Sequence, residues 1–264
     1  MKALLPSGAI EYVETGNRSA MPVIFIHGFP FSHEMWIPQL GPVGLSRRAI
    51  AYDIRGHGMS DIGDGQYTID GHVDDLFAFM DLLSIKECVV VGLSMGGYIT
   101  LRALEREPAR FKGAVLCDTK SEADTNEAKV KRFETMKAVK RGGSIEFAEG
   151  FARAVFWEGT FTSKPEVVAS IKRVIARTPP LAIAGTLLAL ASRTDTTPSL
   201  NAIGVPTLIL VGEHDAVTPP AASRAMHERI PGSHLHLIPA AGHMSNLENP
   251  EEFNGELLAF LKRF

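Results

Sequence analysis

The feature that most restricts how this chain can fold is a junction in its first half. Residues 88–91 (Cys-Val-Val-Val) read as a buried strand, Gly92-Leu93-Ser94-Met95-Gly96 follows at once, and a helical pattern runs over 96–107. A strand that turns directly into a helix leaves no room for side chains across the turn, so glycine flanks the serine on both sides. Such a turn strains the serine backbone and lifts its hydroxyl to the sheet's C-terminal edge, beside the positive end of a helix. The rest of the pattern agrees. Apolar runs at 23–26, 49–53, 114–117, 207–211 and 234–238 alternate with amphipathic segments at 69–83, 221–229 and 250–262. This is the rhythm of a mainly parallel sheet covered by helices. Residues 10–14 alternate apolar with polar and are expected to pair antiparallel at the N-terminal edge.

Residues 120–197 break the rhythm. They hold no convincing strand and read as helices at 127–141, 144–155, 165–176 and 181–191. A structureless loop of that length inside a compact domain is implausible. The expected organisation is a core domain built from 1–119 and 198–264, with an inserted helical cap at 120–197. A chain of 264 residues has ample material for one such core.

The formal net charge of −3, with charges interspersed, gives no electrostatic reason to expect nucleic acid or a membrane surface as partner. It suits a small, neutral or mixed substrate and leaves a homo-oligomer open. Residues 1–8 are too short in apolar content for a signal peptide, and no apolar run approaches a membrane span. Cys88 and Cys117 both sit in apolar runs and make neither a disulfide framework nor a metal-ligand spacing. A reducing, cytoplasmic setting is expected.

An isolated serine hydroxyl is a poor nucleophile and needs a base within hydrogen-bond reach. Among nine histidines, His243 stands on the loop after the last apolar run, in Ala240-Ala241-Gly242-His243-Met244. The base must in turn be oriented by a buried carboxylate. Asp215 follows the preceding run in Gly212-Glu213-His214-Asp215; Asp118, after 114–117, is a rival, and Glu213 a weaker one. Parallel strands put these loops on one rim, where open α/β sheets bind ligands. Acyl transfer also needs donors for an oxyanion. Met95, the residue after the serine, supplies one N–H; Phe29 in His27-Gly28-Phe29-Pro30 supplies the other, because Pro30 has none. The segment from Asp53 to Ser60 is glycine-rich but lacks P-loop spacing, and reads as a rigid turn with Arg55 structural. His234 and His236 share one strand face, with no third ligand nearby, so a polar sheet face is expected rather than a metal site. Phe147, Phe151, Phe156 and Trp157 are candidates for either a pocket ceiling or the cap's own core.

Taken together, His27 to Pro30, Asp53 to Ser60, Gly92 to Gly97, Asp215 and Gly242-His243 resemble the α/β-hydrolase superfamily over residues 21–118 and 204–264. Gly92 to Gly97 and Met244-Ser245-Asn246-Leu247-Glu248 are similar to the 3-oxoadipate enol-lactonase branch and its carboxylesterase relatives. His27 to Pro30 is similar to epoxide hydrolases, haloalkane dehalogenases and cofactor-free haloperoxidases; the first two carry aspartate where this chain has Ser94. The resemblance implies a mostly parallel eight-stranded sheet flanked by helices, with the inserted cap. It implies a serine carboxylesterase with Ser94, His243 and Asp215 as triad and no metal or organic cofactor. The alternatives are an enol-lactone-type lactonase, a cofactor-free perhydrolase or carbon–carbon hydrolase, and, in a different class, a ligand receptor on the same scaffold.

Overall fold

The computed structural model describes residues 1–264. Eight strands form one sheet: β1 (Lys2–Leu5), β2 (Gly8–Thr15), β3 (Pro22–Ile26), β4 (Arg48–Tyr52), β5 (Cys88–Leu93), β6 (Phe111–Cys117), β7 (Thr207–Gly212) and β8 (His234–Ile238). Their order is β1-β2-β4-β3-β5-β6-β7-β8, antiparallel across the first two pairings and parallel thereafter. The edge differs from the sequence expectation. Residues 10–14 belong to β2, and β1 pairs outside them through a two-residue turn at Pro6-Ser7. The β1 pattern is too brief to read from sequence, but Ala3 and Leu5 are buried while Lys2 and Leu4 face out.

Both faces of the parallel strands are covered, so those strands are apolar on both sides. Successive residues go to opposite cores: Ile24, Ile26, Ile50 and Val90 to one, Val23, Phe25, Ala49, Ala51 and Val91 to the other. The first core is closed by α2 (Ile69–Leu82) and α3 (Met95–Arg106), the second by α1 (Ile37–Gly44) and α10 (Pro250–Leu261). Thr68 caps α2 by accepting from Gly71 N at 2.9 Å, and Asn249 caps α10 ahead of Pro250. The helix α1 is invisible in the sequence, because Ile37-Pro38-Gln39-Leu40-Gly41-Pro42-Val43-Gly44 holds two prolines and two glycines. Pro42 has no N–H for the Pro38 carbonyl, and Asn254 Nδ2 of α10 supplies that bond at 3.0 Å.

Between β6 and β7 lie α4 (Asn126–Val155), α5 (Thr160–Ser163), α6 (Pro165–Arg177) and α7 (Pro180–Ala191). Gly143, at φ 79°, divides α4 where the sequence suggests two helices. Further on come α8 (Pro220–Arg229) and α9 (Ser245–Glu248). No single helix is long and apolar enough to cross a membrane.

Candidate active site

Ser94 leaves the C-terminal end of β5 at φ 54° and ψ −114°, a left-handed backbone that a non-glycine residue rarely adopts. The fold holds it there from both sides: Ser94 N donates to Cys117 O at 2.9 Å, and Thr119 Oγ1 donates to Ser94 O at 2.8 Å. A Cβ at Gly96 would overlap the Ile26 carbonyl oxygen, so only glycine lets α3 start this close to β3. The Ser94 side chain is nearly buried, and its hydroxyl makes no hydrogen bond within the chain.

Asp215 and His243 leave β7 and β8 on the same rim. His243 Nδ1 lies 2.8 Å from Asp215 Oδ2. The other oxygen of Asp215 accepts from Val217 N at 2.8 Å and Thr218 N at 2.9 Å, and Thr218 Oγ1 donates to Oδ2 at 2.8 Å. Burial alone would raise the Asp215 pKa; His243 and the Thr218 donors outweigh it and hold the carboxyl below its usual range. With Nδ1–H engaged by Asp215, Nε2 is left as a proton acceptor, the tautomer that a base for a serine hydroxyl requires.

The rival acids go elsewhere. Asp118, at φ 44°, accepts from Gly212 N at 2.8 Å and meets Ser245 Oγ at 2.5 Å, with no bond to His243. Complete burial, reinforced by the Asp215 charge, pushes its pKa well above the carboxylate range. Glu213 is exposed.

Two backbone N–H groups near Ser94 are without partners in the chain. Met95 opens α3, so its N–H is among the first-turn amides that a helix leaves unbonded. The Phe29 N–H is also free, while Phe31 N closes the turn onto Gly28 O at 2.9 Å. Gly28 packs against Ser94: a Cβ on it would stand 3.2 Å from the serine Cβ. His27 fixes this loop. Ile54 N donates to its Nε2 at 2.9 Å, so the ring proton is on Nδ1 and is donated to Gly28 O at 2.8 Å. The Pro30 carbonyl accepts from Thr178 Oγ1 at 3.3 Å. Both carbonyls are therefore engaged inside the fold.

A sequence model described as the alpha/beta hydrolase fold matches residues 21–250. The chain belongs to the α/β-hydrolase fold family. This hydrolase is 30% identical over 256 residues to "3-oxoadipate enol-lactonase 2" of Acinetobacter baylyi, covering 97% of this chain and 94% of the relative. Among solved structures it is similar to a thermophilic esterase from Thermogutta terrifontis (TM-score 0.95, 34% identity, 100% and 98% covered). It is also similar to the enol-lactonase from Burkholderia xenovorans LB400 (TM-score 0.93, 28% identity, 99% and 100% covered).

In this hydrolase the aromatic residues of the helical insertion divide. Phe147 and Phe151 meet Phe29 at centroid distances of 6.1 and 5.7 Å and each other at 5.1 Å, packing on the loop that follows β3. Phe156 instead packs on Phe161 within the insertion, and Trp157 stacks on His214 at 5.0 Å. The turn from Asp53 to Ser60 is rigid as expected: Asp53 accepts from His33 N and Met59 N, and Arg55 pairs with Asp75 at 2.9 Å. Against the expectation that no third ligand lies near, His236 is 2.7 Å from Glu252 and 3.8 Å from Glu256, and the three offer ligand atoms within 4.8 Å of one another, close enough to hold a metal ion. Sequence reasoning missed Thr119, Ser245 and Glu248, which meet Ser94, Asp118 and Thr160 far away in the chain, and Thr218, which lies only three residues from the Asp215 it bonds.

The buried histidines of the hydrolase carry a pH dependence. Burial pushes His27 down to about 4 and His57 down to about 3, and it lowers His72 as well. The unfolded chain takes up those protons near pH 6.5, whereas the folded chain stays neutral to much lower pH. Stability is therefore full above about pH 6.5 and falls as pH drops toward about 4. Asp118 and Glu248, raised by burial, and His33, raised against its own burial by its hydrogen bond to Asp53, pull the other way. The thermal midpoint should be lower at about pH 5 than at about pH 7.5, with a smaller drop in His57→Gln. A midpoint that is flat or rises on acidification would contradict this balance.

Proposed function

We propose that this hydrolase cleaves carboxylic esters through an acyl-enzyme on Ser94. The observation that carries the reading is the pairing of a strained, unbonded serine with a buried His243–Asp215 couple on one rim. Ser94 Oγ attacks the ester carbonyl carbon while His243 Nε2 takes its proton. The Phe29 and Met95 amides receive the oxyanion, and Asp215 stabilises the imidazolium. Collapse of the tetrahedral intermediate breaks the bond to the alcohol oxygen, which takes the proton from His243. A water then gives its proton to His243, attacks the acyl carbon, and releases acid and free serine. The Phe29, Phe147 and Phe151 cluster favours an apolar group beside the carbonyl. The enol-lactonase relatives support a second reading, a lactone substrate, in which the same steps open a ring and the leaving alcohol stays tethered.

The test is steady-state turnover on p-nitrophenyl esters of graded acyl length beside a panel of lactones. Multiple turnovers, strongest on esters, are expected; preference for lactones would favour the second reading. One equivalent of p-nitrophenol followed by a stall would contradict both and indicate a ligand receptor.

A further inference from the structure

We propose that Glu248 is a positioning residue for the base, tying the loop that carries His243 to the helical insertion so that the insertion's seat sets the histidine's place. The inference rests on the role assigned to His243 above. Glu248 closes α9 and is buried. One carboxylate oxygen accepts from Gly242 N at 2.8 Å and Met244 N at 3.1 Å, the two amides that flank His243. The other accepts from Trp157 N at 2.8 Å and Thr160 Oγ1 at 2.5 Å, both in the insertion.

The amide between those two is also claimed by the insertion: His243 N donates to Val155 O at 2.8 Å. Three consecutive N–H groups around the base are thus pinned, two through one carboxylate and one directly. The fit is close, since a Cβ on Gly242 would stand 2.7 Å from Trp157 N. The Glu248 carbonyl oxygen adds a further tie, accepting from Lys164 Nζ at 2.7 Å. A carboxylate suits this place because all four groups facing it are donors, and it offers acceptor sites alone. Glutamine would turn an amide NH₂ toward one of the two donor pairs and release either the His243 loop or the insertion.

Misplacing a catalytic group by about 1 Å costs on the order of 100-fold in rate. Glu248→Gln should therefore lower kcat by about 10- to 100-fold with KM within about twofold of wild type. Thr160→Val removes one donor at nearly constant shape and should lower kcat about three- to tenfold, and Thr160→Ser should recover most of it. The readouts are p-nitrophenyl acetate kinetics and the rate at which a fluorophosphonate labels Ser94, with the thermal midpoint as control. The labelling rate should fall by the same factors, because phosphonylation also needs the base. Rates within about twofold of wild type in both the Gln and Val variants, even with a lowered midpoint, would overturn the proposal. So would a loss confined to KM. If Glu248→Gln does not fold, the Thr160 pair decides. If wild type is labelled but cleaves no ester, the ester reading fails while the labelling rates still judge Glu248; an unlabelled wild type overturns both.

Discussion

Ser94→Ala should abolish ester turnover by about 10⁴- to 10⁶-fold while leaving the fold as stable as wild type, within about 0.5 kcal/mol. The two halves of this expectation have separate causes. Removing the nucleophile leaves only binding and oxyanion stabilisation, because members of such a constellation act as a unit. Stability is spared because the hydroxyl makes no hydrogen bond in the fold, and the positive φ strains alanine as much as serine. Both should be checked in one preparation, by p-nitrophenyl acetate kinetics and a denaturant midpoint. A variant that keeps a tenth of the activity, or loses stability in proportion to activity, would show that Ser94 is structural.

Asp215→Asn should lower kcat by about 10⁴-fold, by analogy with the triad template, and Asp118→Asn by less than about tenfold. At Asp215 the amide oxygen must keep facing Val217 N and Thr218 N, which turns the NH₂ toward His243 Nδ1. The imidazole proton then moves to Nε2, and the ring can no longer act as a base. Asp118 makes no bond to His243, and an asparagine there keeps its oxygen toward Gly212 N and turns its NH₂ toward Ser245 Oγ, reversing the one bond in which that hydroxyl donates. The reverse ranking in kcat would place the acid on the loop after β6.

The central strands were legible because each is buried on both faces and so spells a continuous apolar run, as 88–91 does before the Ser94 turn. The candidates Ser94, Asp215 and His243 stood out for a related reason, since each lies on the turn or loop after such a run. Where the sequence failed, the determinant lay elsewhere in the chain. The helix α1 depends on Asn254, whose amide satisfies the carbonyl that Pro42 leaves bare. Thr160 and Trp157 meet Glu248 across 88 and 91 positions, and Ser245 meets Asp118 across 127. Such pairs leave no local pattern to read. The edge strand β1 was missed for the opposite reason: its four residues are too few to show a period. Phe147 and Phe156 look alike in sequence, and only the path of the chain separates them, bringing Phe147 onto Phe29 and Phe156 onto Phe161.

The central claim, that Ser94 is an activated nucleophile, is tested most directly by mapping the site of fluorophosphonate attachment. Trypsin releases residues 87–102 as one segment in which Ser94 is the only serine. One phosphonyl group on that segment, at Ser94, with matching loss of ester turnover is the expected result. An adduct on any other segment, or turnover that persists after Ser94 is fully modified, would contradict it.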